Sequence, residues 1–524
     1  MKLHSGANVK RQELFALFLI GLLFNICIAW FQLAPGYMDA DYYYAGGLRL
    51  VQGHGFTETY LWNYLDNPQV LPHASHGYWF PLASIIAAAG MYLTGQHTFW
   101  AARLGFIVIA ALASPVSALL GFKITAQRGT AIAAGLLAVF SGYHAPFMPT
   151  TDNFGLFMLL GGLFFLFLPR SGRAAPFLLG LITGLMNLSR VDGLMWFVLG
   201  CVGLFFLWLD AKPRLRIGSF VISIMIFSIG YALVMAPWMA RNIAVWGTPL
   251  TPAGSNVIWM TRYDETFAWP ASRINMQNWL ATGWQSALES RLTAFKLNSI
   301  NTIGAQSAFL LFPFILIGLW ALRKDLRIRL AVFGWLTLYG FMSFIVPFAG
   351  SRGSFFHAAA ALQPIWFTAA VVGVDVLVAK ARARGRFTPA AFQVFRIALV
   401  LFMAILTVSL AQIAIIKNDW NQFRRTYDRV EAILVQNGAQ PADVVIVANS
   451  PGYYAASGRS AIIVPDENLE SVRALADQFG AKYLVLEKTY YTDPMIPVYK
   501  NPDVQPGLNY LGEFDDVRIF AFTH

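Results

Sequence analysis

The sequence predicts an α-helical polytopic membrane protein, with about eleven spans, juxtamembrane helices and a small α/β domain in its C-terminal part. Three observations carry that expectation. Of 524 residues, 57% are hydrophobic and only 12% charged, where an ordinary soluble domain carries roughly 25% charged residues. Apolar runs long enough to cross a hydrocarbon core of about 30 Å recur along most of the chain. Basic residues gather in alternate loops between those runs.

The runs lie near 14–33, 98–120, 129–146, 154–169, 174–189, 193–209, 217–238, 305–322, 330–347, 356–379 and 392–416. The first follows a basic opening but is too long for a signal-peptide core and has no A-x-A cleavage site before Pro35, so it reads as an anchor. The fifth and sixth are short enough to form a tight hairpin. Basic side chains cluster as Lys2, Lys10 and Arg11; Lys123 and Arg128; Arg170 and Arg173; Lys212, Arg214 and Arg216. The series continues with Arg323, Lys324, Arg327 and Arg329, then Lys380, Arg382, Arg384 and Arg386. The long segment 34–97 holds only Arg49. This alternation places the N-terminus in the cytoplasm, and an odd number of spans leaves the C-terminal segment outside. The net charge of +11 is therefore a topology signal and not a nucleic-acid footprint. Nothing resembles an organelle address, so a bacterial plasma membrane is the default location. Cys27 and Cys201 fall inside predicted spans and offer no disulfide framework.

The chain divides into a membrane region, 1–417, with outer loops 34–97 and 239–304, and an accessory α/β domain, 418–524. Within the first loop, GYWFPLASIIAAAGMYLTG (77–95) is apolar, but a crossing there would break the charge alternation, so it reads as a juxtamembrane helix. The second loop holds two amphipathic helical patterns. The last segment opens with a helix (418–437), followed by VVIVANS (444–450), AIIVP (461–465), a helix near 467–480, KYLVLE (482–487) and one or two final strands. It has no Gly-rich phosphate loop, CxxC pair or GxSxG elbow.

Asp39 and Asp41, in DADYYY (39–44), follow Pro35-Gly36 where the first span should end. Ionisable groups at that depth default to function, against the plainer reading of a helix cap. Asp41 is expected to cap a helix over 42–51, leaving Asp39 in the preceding turn. Asp152, in TTDNFG, reads as an N-cap for the next span, with a second reading as a further acidic group facing Asp39. Arg190, Arg241 and Arg352 stand at predicted outer span ends, and His357 lies one turn beyond Arg352. Arg190 and Asp192 can form an ion pair closing a hairpin, and Arg241 can anchor beside Trp238. His54, His73 and His76 share the first loop with Glu58 and Asp66, and His73-x-x-His76 has one-face helical spacing. Those two histidines are the weak candidates for a metal, since zinc asks for three or four such ligands. Tyr60, Trp62, Tyr64, Tyr78 and Trp79 can stack on sugar rings or form an aromatic belt.

DADYYYAGGLRLVQGHGF resembles the opening of the GT-C glycosyltransferases of the family 39 type, which include bacterial lipid A aminoarabinose transferases and protein O-mannosyltransferases. HGYWFPLASIIA (76–87), AARLG (101–105), TTDNFG (150–155), LSRVDG (188–193) and PWMARNIAVWG (237–247) follow in that family's order, so the likeness covers about 1–420. Two features depart from the family pattern: Ala40 separates an acidic pair that is usually adjacent, and Trp79-Phe80 stands before Pro81 in place of a second proline. The resemblance implies an inverting transfer of a monosaccharide from a polyprenyl-phosphate carrier to a hydroxyl of a lipid, glycan or protein acceptor on the outer face. It implies Asp39 as the base, with Asp41 second, and Arg241, Arg190, Arg352 and His357 as donor-phosphate ligands. No cofactor is expected beyond the lipid-linked donor, with a divalent metal left open. Two rival readings remain: a flippase for lipid-linked sugars, and a ligase or polymerase using a lipid-pyrophosphate-linked oligosaccharide.

Overall fold

A computed structural model describes residues 8–170, 172–211, 216–488 and 490–523. Lys2, Lys212 and Arg214 of the basic series lie outside the described residues. The chain forms two compact units. One comprises Met1–Phe31, Arg103–Arg241 and Arg291–Asn418; the other comprises Gln32–Ala102, Asn242–Ser290 and Asp419–His524.

The first unit is helical. Each of the eleven apolar runs holds a helix, among them Arg11–Trp30, Phe99–Thr125, Ile217–Trp246, Leu311–Leu322, Gln363–Ala383 and Ala391–Gln412. Among the described residues, seven helices are long and apolar enough to cross a membrane. Five shorter apolar helices accompany them: Arg128–Val139, Phe154–Phe167, Ala174–Ser189 and Leu311–Leu322 in this unit, and Leu82–Thr94 in the second. With little hydrophobic drive between helices in lipid, close backbone approach does the packing. Gly318 sits on the backbone of Ala369 and Gly373 on that of Phe314, so a β-carbon at either would overlap the facing helix. At the basic ends, Arg327 pairs with Asp325 and donates to the Lys123 carbonyl at 2.9 Å, while Arg128 pairs with Glu13.

The second unit is built on a six-stranded sheet. Its order is Tyr60–Leu61, Ala461–Ile463, Val444–Val447, Ala481–Glu487, Val517–Phe522 and Leu508–Phe514. The first four strands are parallel and the last two antiparallel. Val444–Val447 is buried at every position, as a parallel strand covered on both faces must be. Helix Leu469–Phe479 covers one face with Val472, Leu475, Ala476 and Phe479. Helix Gln422–Gln436 covers the other with Tyr427, Val430 and Leu434, spaced one turn apart. Asn468 caps the former by accepting the Ser471 N–H at 2.9 Å, and Gly480, at φ 68, closes it.

The apolar stretch 77–95 forms helix Leu82–Thr94. Its thirteen residues reach about 20 Å, short of a bilayer core. Ala87 and Ala88 fit against Gly47 of helix Met38–Val51. In the outer loop 239–304, helices Met276–Ala281 and Gly283–Ile303 stand where two amphipathic patterns were expected.

Candidate functional site

The acidic pair does not cap a helix at 42. The helix begins at Met38, with extended Tyr37 before it, so both aspartates lie in its first turn. Gly36, at φ 92, turns the chain here because the Trp420 indole fills the space a β-carbon would need. The Trp420 Nε1–H donates to the Ala34 carbonyl at 3.0 Å and fixes that entry. Two carboxylates in the first turn oppose the positive end of the helix dipole, which favours starting one turn early.

Two residues apart on a helix, the pair diverge. Asp39 is half-buried, whereas Asp41 is 4% exposed and its Oδ2 accepts from Asn449 Nδ2 at 2.8 Å. Burial pushes the Asp41 carboxyl up to about 7, with the Asn449 bond opposing the rise. The tyrosines that follow serve the same unit. The Tyr42 hydroxyl donates to Glu58 Oε2 at 2.8 Å and accepts from the His76 backbone N–H at 2.7 Å. Burial beside Glu58 holds that phenol well above its ordinary range. Trp62 and Trp79 stack at 3.8 Å, with Tyr42 edge-on to Trp79 at 5.0 Å. Tyr60 and Tyr64 are fully buried, and Tyr64 donates to the Ile463 carbonyl, so these two belong to the sheet rather than to a stacking surface.

The helical spacing expected of His73 and His76 is absent. His73 lies on strand His73–Ala74 opposite Glu58, with its Nε2 2.9 Å from Asp66 Oδ2. His76, at φ 65, bonds the Ser75 hydroxyl at 2.7 Å and the Ser84 hydroxyl at 3.0 Å. The left-handed turn at His76 interrupts any helix and sends the two rings to separate partners.

In the helical unit, Asp152 is not the N-cap of the next helix. That place belongs to Asn153, ahead of Phe154–Phe167. Asp152 Oδ1 accepts the Asn153 N–H at 2.6 Å, and its Oδ2 lies 2.9 Å from His357 Nε2. His357 Nδ1 lies 3.0 Å from the Gly353 carbonyl, an acceptor that only a proton on Nδ1 satisfies. The ring then donates at both nitrogens only as imidazolium; otherwise Asp152 carries the second proton. Gly353, at φ 137, supplies a turn that other residues rarely adopt. Phe154 stacks on the imidazole at 3.9 Å. Sequence reasoning named both residues but not their partnership, since they stand 205 residues apart.

Arg190 is drawn into the same neighbourhood. Ser189 bonds Asn153, and Arg190 donates to Asp192 Oδ1 at 2.9 Å and to the Ser354 carbonyl at 3.4 Å. Arg241 lies within helix Ile217–Trp246, not at its end, because the helix continues past Pro237; its guanidinium sits 4.8 Å over the Trp238 ring. Arg352 is exposed on the turn Gly350–Ser354. Arg103, noted only within AARLG, is fully buried and donates to the carbonyls of Pro149 at 3.0 Å and Ala29 at 2.9 Å. It ties the TTDNFG loop to the first helix of this unit.

No family model matches the sequence, and no curated protein sequence matches it. Solved structures do match the fold. The archaeal oligosaccharyltransferase AglB from Archaeoglobus fulgidus, in complex with an inhibitory peptide and a dolichol-phosphate, aligns at TM-score 0.55 and 12% identity, over 90% of this chain and 69% of that one. ArnT from Cupriavidus metallidurans, bound to undecaprenyl phosphate, aligns at TM-score 0.54 and 12% identity, over 98% of both chains. The mycobacterial arabinofuranosyltransferase AftD aligns at TM-score 0.50 and 15% identity, and the whole of this chain spans 42% of that one. Seven described helices are long and apolar enough to cross a membrane, and the chain shares the GT-C membrane fold of these neighbours.

Proposed function

We propose that this protein is a polyprenyl-phosphate-sugar-dependent glycosyltransferase acting at the outer face of a bacterial plasma membrane. The observation that carries the reading is the alignment over 98% of both chains with ArnT bound to undecaprenyl phosphate. In the proposed step, the oxygen of an acceptor hydroxyl forms a bond to the anomeric carbon of the donor. The bond from that carbon to the phosphate oxygen breaks, and its electron pair leaves with polyprenyl phosphate. Asp39 takes the hydroxyl proton. Of the two aspartates it is the half-buried one, whereas Asp41 is 4% exposed. Arg241, Arg190, Arg352 and His357 are proposed to hold the phosphate as its charge develops. Asp152, 2.9 Å from His357 Nε2, is proposed to orient the imidazole for that task.

The test is release of polyprenyl phosphate from labelled polyprenyl-phosphate sugars by the purified protein, with a membrane extract supplying acceptors. Asp39→Asn is expected to lose about 10²–10⁴-fold in turnover at unchanged expression, the usual worth of a general base. Release of polyprenyl pyrophosphate from a lipid-pyrophosphate-linked oligosaccharide supplied in parallel, with no release from the monophosphate donors, points instead to the ligase reading. Movement of intact lipid-linked sugar across vesicles without bond cleavage overturns the transferase.

A further inference from the structure

One short helix of the C-terminal segment, Ser450–Ser457, grips helix Met38–Val51 at both ends. At one end Asn449, its N-cap, donates Nδ2–H to Asp41. At the other, the Tyr454 hydroxyl donates to Gln52 Oε1 at 3.3 Å, and the Tyr454 ring lies 4.8 Å from that of Tyr60.

Asn449 is held from behind. Its Oδ1 accepts the Gly452 N–H at 3.1 Å, and its backbone N–H donates to the Tyr427 hydroxyl at 3.2 Å. Tyr427 donates in turn to Glu487 Oε1 at 2.9 Å, at the end of strand Ala481–Glu487. Asp41, Asn449, Tyr427 and Glu487 are all more than nine-tenths buried. The amide facing Asp41 is thus locked by its own cap bond, and flipping it would break two bonds at once. Gly452 completes the fit: a β-carbon there would stand 2.8 Å from Asp41 Oδ2 and 2.7 Å from Asn449 Nδ2.

Positions two apart on a helix point roughly 200° from one another. Holding Asp41 on one side of the helix therefore sets Asp39 on the opposite side. We propose that Asn449 is a positioning residue: by fixing Asp41 it sets the rotation of helix Met38–Val51 and with it the direction of the Asp39 carboxylate. For its consequence in turnover, this rests on Asp39 being the base; for the geometry, it does not. A base displaced by a fraction of an ångström loses much of its rate advantage.

The first test reads geometry without any substrate. In full-length protein with Cys27 and Cys201 replaced by Ala, the rate of maleimide labelling of Asp39→Cys is measured in the parent and in three variant backgrounds. Asn449→Asp sets two carboxylates face to face and is expected to change the rate about threefold or more, the scale of one lost hydrogen bond. The exchange pair Asp41→Asn with Asn449→Asp rebuilds the bond with donor and acceptor traded, and is expected to restore the original rate. Gly452→Ala, which crowds the same contact, is expected to shift it in the direction of Asn449→Asp. Equal rates in every background overturn the proposal, as does an exchange pair that labels like Asn449→Asp while its thermal midpoint matches the parent. The second test restores Asp39 and follows turnover of undecaprenyl-phosphate-linked sugars. Asn449→Asp is expected to lower kcat about tenfold with KM little changed, and the exchange pair to recover it. If Asp39→Asn turns over as fast as the parent, the reading of Asp39 as base fails, while the labelling rates still decide the role of Asn449.

Discussion

Asp39 and Asp41 carry the same side chain into opposite surroundings, and that difference has a pH signature. Burial pushes Asp41 from 3.8 up to about 7, against the Asn449 bond, and Glu487 from 4.5 up to about 7, against bonds from Tyr427 and Ala448. Both folded values exceed the unfolded ones, so folding takes up protons between them. The stability these groups contribute is complete below the unfolded values and is lost as pH rises through about 7. Asp41→Asn and Glu487→Gln keep an acceptor for their partners but cannot ionise. Each is expected to raise the thermal midpoint by several degrees near pH 8, with the gain shrinking toward pH 4; a midpoint difference constant across that range would contradict the assignment. The candidate residues were legible in the sequence by position: Asp39 and Asp41 after the first span, and Asp152, Arg190 and His357 at later span ends. Their partners were not. The Asn449 bond to Asp41 spans 408 residues and the His357 contact with Asp152 spans 205, and no local pattern announces such meetings.

At the scale of elements, the contact between helices Met38–Val51 and Leu82–Thr94 depends on small residues. A β-carbon at Gly47 would come within 2.9 Å of Ala87 Cβ and 3.1 Å of Met91 Cε, whereas one at Gly53 would meet nothing within 4 Å. Gly47→Leu is therefore expected to cost about 1–3 kcal/mol by overpacking. Gly53→Ala costs only the strain of its φ of 81, about 1–2 kcal/mol. Thermal unfolding in detergent checks this, and a Gly47→Leu midpoint equal to the parent's would refute the packing account. Long elements were readable because period and length are properties of many residues together. All eleven apolar runs became helices, and the strands of the C-terminal segment fell where short apolar runs stood. Several short elements escaped, among them two of the second unit. Tyr60–Leu61 is a strand of two residues, too brief to show alternation, and Ser450–Ser457 opens with Ser-Pro-Gly, which reads as a turn until Asn449 caps it. The early start of helix Met38–Val51 was missed for a related reason: aspartates mark a helix N-terminus without saying whether they precede it or lie in its first turn.

For the whole molecule, the distribution of charge makes the strongest claim. With Cys27 and Cys201 replaced by Ala, Lys488→Cys is expected to react with a membrane-impermeant maleimide on intact cells. Lys324→Cys is expected to react only after permeabilisation. Labelling of Lys324→Cys on intact cells would contradict the assigned topology, and labelling of it alone would reverse it. The sheet of the second unit adds a constraint in time. Its edge strand Tyr60–Leu61 pairs with Ala461–Ile462, and the bond from Tyr64 to Ile463 spans 399 residues. At a synthesis rate of about 5–20 residues per second, the early loop waits roughly 20–80 s for its partner to be made. Throughout that interval Leu61 and Tyr64, buried in the finished sheet, lack the strands from Val444 onward that cover them. Biogenesis therefore holds a vulnerable window in which a nascent loop is open to proteases and chaperones, and slowing translation between these segments would lengthen it.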